Sequence, residues 1–163
     1  MNLFRLLKHG LLSGFCMGCF CLSAVQITDG SGTAAAEIIL PEGAEESSKL
    51  AARELAEYVA KISGGKLAVT SAPGSAANQI IIGTLQTLKD VPQEIRTRLE
   101  ATQNNEAFCL MARGSRLYIV GKKRVAELFA AYTFLEEHLD VRWFIPPMPG
   151  DDGEYIAKRK AIT

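Results

Sequence analysis

The stretch Gly121-Lys-Lys-Arg-Val-Ala-Glu-Leu-Phe-Ala-Ala-Tyr-Thr-Phe-Leu-Glu-Glu-His-Leu-Asp-Val-Arg-Trp-Phe-Ile-Pro146 decides how the rest of the chain is read. Leu128, Tyr132, Leu135 and Leu139 recur at helical spacing, which predicts one amphipathic helix. Val125 and Phe129 widen its apolar stripe, and Phe134 falls at the edge. Lys122, Lys123, Glu127, Glu136 and Glu137 lie off the stripe and are expected in solvent. The period breaks at Val141-Arg-Trp-Phe-Ile145, a β-branched and aromatic run that Pro146-Pro147 terminates, so a strand is expected straight after the helix. A helix this apolar needs a sheet to cover.

The sequence upstream supplies one. Glu106–Arg113 and Arg116–Val120 read as strands joined by Gly114-Ser115, a two-residue turn with glycine first. Gln79–Ile82 carries three consecutive isoleucines, the mark of a strand buried on both faces. Lys66–Thr70 and Glu37–Leu40 are further short strands. Between them Glu45–Ile62 reads as a helix, with Ala51, Leu55, Tyr58 and Ile62 on one face and Val59 beside them. Gly64-Gly65 stops it, since glycine enters the left-handed region cheaply. A polar stretch allows a short helix at Gln93–Leu99. Not every strand is followed by a helix, so the expected fold class is α+β. The architecture is a two-layer domain: a mixed sheet of five to six short strands with two long helices on one face.

The chain's 163 residues suit one domain, and its 48% hydrophobic and 22% charged residues are ordinary for a globular protein. Eighteen basic residues balance eighteen acidic ones, which argues against a nucleic-acid partner. Residues 1–24 read as a signal peptide. Arg5 and Lys8 precede an uncharged run, Gly10–Ala24, which is shorter than the roughly 20 apolar residues that span a bilayer. Cleavage near Val25 would leave no transmembrane span and a secreted or periplasmic protein. Cys19 after Gly18 leaves lipoprotein anchoring as an alternative. Cys16, Cys19 and Cys21 would depart with the signal, leaving Cys109 as the one cysteine and no internal disulfide. Residues 25–36, rich in Gly, Ser, Thr and Ala, read as a flexible leader, and 37–163 as the domain.

Few residues suggest chemistry. His138 ends the long helix, where its cation would suit the dipole, and it has no second ligand at metal spacing. Cys109 reads as a buried thiol. Glu136-Glu137 and Asp151-Asp152 are adjacent carboxylates, and adjacent residues do not face one substrate. No catalytic residue, metal ligand or cofactor is assigned. The candidate site is Arg142, Trp143, Phe144 and Ile145. Trp and Arg are enriched at interface hot spots, and aromatic faces also stack on sugars. Trp143 therefore reads as core, as part of a domain interface, or as a sugar platform.

Tyr132-Thr-Phe-Leu-Glu136 followed by Val141-Arg-Trp143 resembles a pattern in the N-terminal domains of α-glucuronidase-like glycoside hydrolases. The same small domain is similar to the second domain of β-hexosaminidases. Ser63-Gly-Gly-Lys66, Ile80-Ile-Ile-Gly-Thr84 and Gly153-Glu-Tyr-Ile156 agree in order, so the resemblance spans Glu37 to Thr163. The family usually has glycine where Ala126 and Asp140 stand. The resemblance implies a non-catalytic accessory domain in carbohydrate breakdown, and the expected signal makes it part of an exported protein. The resemblance also implies a (β/α)-barrel with the catalytic carboxylates, expected C-terminal to this chain; none of those carboxylates is matched here. The alternative is a free-standing module that binds carbohydrate or protein.

Overall fold

Three consecutive isoleucines set the middle of the fold. The computed structural model describes residues 24–144 and 153–163. The expected signal up to residue 23, and Ile145, Pro146, Pro147, Asp151 and Asp152, lie outside the described residues. The elements run β1 (Ala36–Ile39), α1 (Glu46–Ser63), β2 (Val69–Thr70), β3 (Asn78–Thr84), α2 (Gln93–Ala101), β4 (Phe108–Arg113), β5 (Arg116–Gly121), α3 (Ala126–Glu137), β6 (Val141–Trp143) and β7 (Glu154–Ile156). β3 lies at the centre of a five-stranded sheet of order β2-β1-β3-β5-β4. Only β4 runs antiparallel to its neighbour. Ile80 and Ile82 are fully buried beneath the long helices. Ile81 points to the other face and packs with Tyr118 and Val120. The alternation is what a strand's period of two requires.

Helices α1 and α3 cover one face, giving the expected α+β arrangement of two long helices on a mixed sheet. Leu55, Val59 and Leu135 are buried there against Ile38, Ile80 and Ile119. The short α2 lies on the opposite face, where Ile95 and Leu99 meet Tyr118 and Val120. Gly64 ends α1 at φ 86°, with its N–H on the Ala60 carbonyl, the left-handed stop expected from Gly64-Gly65. The β4–β5 turn places Gly114 at φ 59°.

The structure corrects three readings. The strand after α3 does not join the main sheet: β6 pairs antiparallel with β7 in a separate two-stranded ribbon. Residues 25–36, expected to be a flexible leader, pack onto the domain. Val25 and Ile27 are buried, and the Ile27 N–H donates to the Ile162 carbonyl at 2.7 Å. The third correction concerns the phase of α3. Its buried residues are Ala126, Glu127, Ala130, Ala131, Phe134 and Leu135, while Phe129 is 41% exposed. The helix is apolar nearly all round, so its sequence does not select one stripe. Small residues decide instead: Ala130 and Ala131 on α3, with Ala51 and Ala52 on α1, are all buried and let the two helices approach closely.

That phase carries Glu127, expected in solvent, to a fully buried position. A buried carboxylate needs donors. Ser47 and Ser48, in the first turn of α1, supply two hydroxyls to Oε1 at 2.6 and 2.8 Å. The bond ties the starts of the two long helices together.

The entry to α3 is strained. Val125 holds φ 78°, a left-handed conformation that β-branched residues rarely adopt. Such strain amounts to about 1–3 kcal/mol. Glycine relieves it but loses more entropy on folding, so Val125→Gly is expected to stabilise the protein by about 1 kcal/mol. A rise in melting temperature would be the sign of it, and a fall would mean that the Val125 side chain outweighs the strain. Asp140, at φ 57°, takes the left-handed turn before β6, which aspartate tolerates.

Candidate functional site

The β6–β7 ribbon has two unlike faces. Val141 and Trp143 point inward, and Arg142 and Phe144 outward, as strand alternation demands. β7 pairs Trp143 with Glu154 and Arg142 with Tyr155, so Tyr155 joins the outward face. The Phe144 N–H donates to the Gly153 carbonyl at 2.7 Å, which carries the ribbon one residue past β6.

The inward face is a clasp onto α1. The Trp143 ring stands edge-on to Tyr58 (centroids 5.6 Å, 85°) and to Tyr132 (5.5 Å, 84°). Its indole N–H donates to the Tyr58 hydroxyl at 2.7 Å. That hydroxyl in turn donates to Glu154 Oε1. Lys61 closes the circuit, with Nζ 3.3 Å from Glu154 Oε2, 3.1 Å from Glu57 and 4.6 Å from the Tyr58 ring centre. Tyr58, Lys61 and Glu57 all come from α1, where spacings of three and four put them on one side.

The electrostatics follow from this packing. Burial, reinforced by the bond to Glu154, pushes the Tyr58 phenol up to about 12, so it stays a neutral donor at physiological pH. Burial works against the Lys61 ammonium, yet its bonds to Glu57 and Glu154 outweigh that and hold it above the ordinary lysine range. Burial also raises the Tyr132 phenol, with Glu54 adding to the effect. Glu154 is engaged by a phenol and an ammonium, which suits it to holding the ribbon.

The outward face is aromatic and open. Phe144 is 60% exposed and Tyr155 51%. Arg142 stands opposite Tyr155 and two residues before Phe144. Its guanidinium binds the Glu136 carbonyl, and the Asp140 carboxylate at 3.0 Å. Of the four residues singled out in the sequence, Trp143 is thus half-buried in the clasp, Arg142 braces the turn after α3, and Phe144 is exposed. Ile145 lies outside the described residues. Sequence reasoning missed Tyr58, which it read only as core, and the roles of Glu154 and Tyr155. The available signal was Gly153-Glu-Tyr-Ile156, whose alternation matches Val141-Arg-Trp143 in antiparallel register.

The other candidates are scattered. His138 caps α3, its ring 5.3 Å from that of Phe134, and its carbonyl accepts from Arg159 at 2.8 Å. Cys109 lies half-buried on β4, where burial raises its thiol. Glu136 and Glu137 are exposed. Among the described residues no group of three or more His, Cys, Asp or Glu could hold a metal ion, and no helix is long and apolar enough to cross a membrane.

A family model described as the N-terminus of glycosyl hydrolase family 67 matches residues 26–134. The match begins in the segment packed against Ile162 and ends within α3, before the ribbon. A search of the curated proteins finds no match.

Proposed function

We propose, because the chain belongs to the glycosyl hydrolase family 67 N-terminal family, that it is the non-catalytic accessory domain of an exported glycoside hydrolase acting in polysaccharide breakdown. A family-67 N-terminal domain has a catalytic domain in its parent enzyme, and that partner is a (β/α)-barrel in this reading. The barrel seats on the outward face of the β6–β7 ribbon. The observation that carries the docking surface is the presence of Phe144 and Tyr155, two large exposed aromatics, on one face of the ribbon, with a clasp that fixes the ribbon on α1. Rigid aromatic side chains with arginine nearby are the usual anchors of interfaces. Export is supported by Arg5, Lys8 and the uncharged run that follows them.

The test has two parts. The chain alone, offered aryl glycosides or glucuronosyl oligosaccharides, is expected to give no turnover. Mixed with a family-67 catalytic barrel it should bind, and the double variant Phe144→Ala/Tyr155→Ala should weaken binding about 10-fold or more at unchanged melting temperature. Turnover by the chain alone that vanishes when one acidic residue is replaced would overturn the accessory role. Binding that ignores the double variant would move the interface elsewhere.

A further inference from the structure

The two edges of the main sheet are not alike. β2 is only two residues long, a common way of keeping a sheet edge from pairing. β4 is six residues, Phe108-Cys-Leu-Met-Ala-Arg113, in unbroken register with β5 and without a bulge, a proline or a lysine. The Lys122 N–H donates to the Ala107 carbonyl at 2.8 Å. Hydrogen-bonded and non-bonded pairs alternate along an antiparallel ladder. Cys109, Met111 and Arg113 therefore turn their backbone groups toward β5, and Phe108, Leu110 and Ala112 turn theirs outward. Among the described residues, nothing bonds to those outward groups. An apolar cavity of about 230 Å³ opens beside the strand, lined in part by Leu110, Met111, Leu117 and Phe134.

We propose that β4 pairs antiparallel with β4 of a second copy of this chain, joining the two main sheets into one continuous sheet. The strand is complementary to itself. With Leu110 opposite Leu110 of the second copy, Phe108 meets Ala112 and Cys109 meets Met111. All three outward N–H groups and all three outward carbonyls then find partners. The strand's one charge, Arg113, falls opposite Ala107, so no like charges meet across the two-fold. Directly opposed residues share a face in this register, which keeps α1 and α3 of both copies on one side. Such an isologous contact is closed and does not propagate into fibres.

Sedimentation of the protein over a wide concentration range tests this. The wild type is expected at twice the monomer mass. Ala112→Pro removes an outward N–H and no bond to β5. It should raise the dissociation constant about 10-fold or more with an unchanged circular dichroism spectrum. A charge series covers the case in which the proline variant fails to fold. Phe108→Glu/Ala112→Glu places like charges opposite one another and should give monomer, and Phe108→Lys/Ala112→Glu should restore the dimer. A monomeric wild type would overturn the proposal, as would a dimer indifferent to the charge series. Capture of another protein's strand by this edge, with the wild type monomeric, would overturn it too.

Discussion

Trp143→Ala is expected to destabilise the protein by about 3 kcal/mol, a fall of roughly 10 °C in melting temperature. The indole fills the angle between Tyr58 and Tyr132, and edge-to-face aromatic pairs add to its burial. Its removal leaves a void between α1 and β6. It also deprives the Tyr58 hydroxyl of its donor, although Tyr58 keeps its bond to Glu154. The cost falls at the low end of the range for deleting a buried large aromatic, because Trp143 is only half-buried. Phe144→Ala is the matched control: at 60% exposure it should change stability by less than about 0.5 kcal/mol. Urea melts of the two variants separate the readings of Trp143 left open by the sequence. A loss near zero would make it a surface residue, and a loss near 3 kcal/mol makes it the pin of the clasp.

Gly121→Ala is expected to cost about as much, roughly 3 kcal/mol, for a different reason. A Cβ at Gly121 would stand 2.4 Å from the Glu127 backbone nitrogen and 2.9 Å from Ala126. Those atoms are the first turn of α3, and they cannot move without shifting Glu127 off Ser47 and Ser48. β5 ends at Gly121 because the helix has to pass close over it. The sharper variant Gly121→Val should fail to fold. Thermal and denaturant melts of Gly121→Ala give the number, and a variant as stable as wild type would mean that the α3 entry is loose.

Elements whose evidence is local were legible in the sequence. Ile80-Ile-Ile82 announced a strand buried on both faces, and Gly114-Ser115 announced the hairpin. Gly64 marked the end of α1, and Gln93–Leu99 marked α2 within a residue or two. What failed depended on contacts between distant residues. Glu127 is a helix-surface residue by local pattern, and only the approach of Ser47 and Ser48 makes its burial tolerable. Val25 and Ile27 flank Gln26 in a strand-like alternation, but the Gly- and Ser-rich residues after them mask it. The partner of Ile27 and Thr28, Ile162, is near the other end of the chain. The ribbon was half legible: Val141-Arg-Trp143 read as a strand and Glu154-Tyr-Ile156 had a matching alternation, but nothing local says that the two pair with each other rather than join the main sheet. Trp143 is neither fully core nor fully exposed, since its ring packs on two tyrosines while the strand that carries it presents Phe144 to solvent.

In the proposed function, the clasped ribbon is the surface this domain offers to a catalytic barrel. Hydrogen exchange of the full chain, alone and with a family-67 catalytic barrel, tests it most directly. Exchange resolved by residue segment reports which backbone amides gain protection on binding. Slowed exchange is expected at Arg142–Phe144 and Glu154–Ile156, with α2 unchanged. Protection confined to α2, or to the β2 edge, with the ribbon unaffected would contradict it.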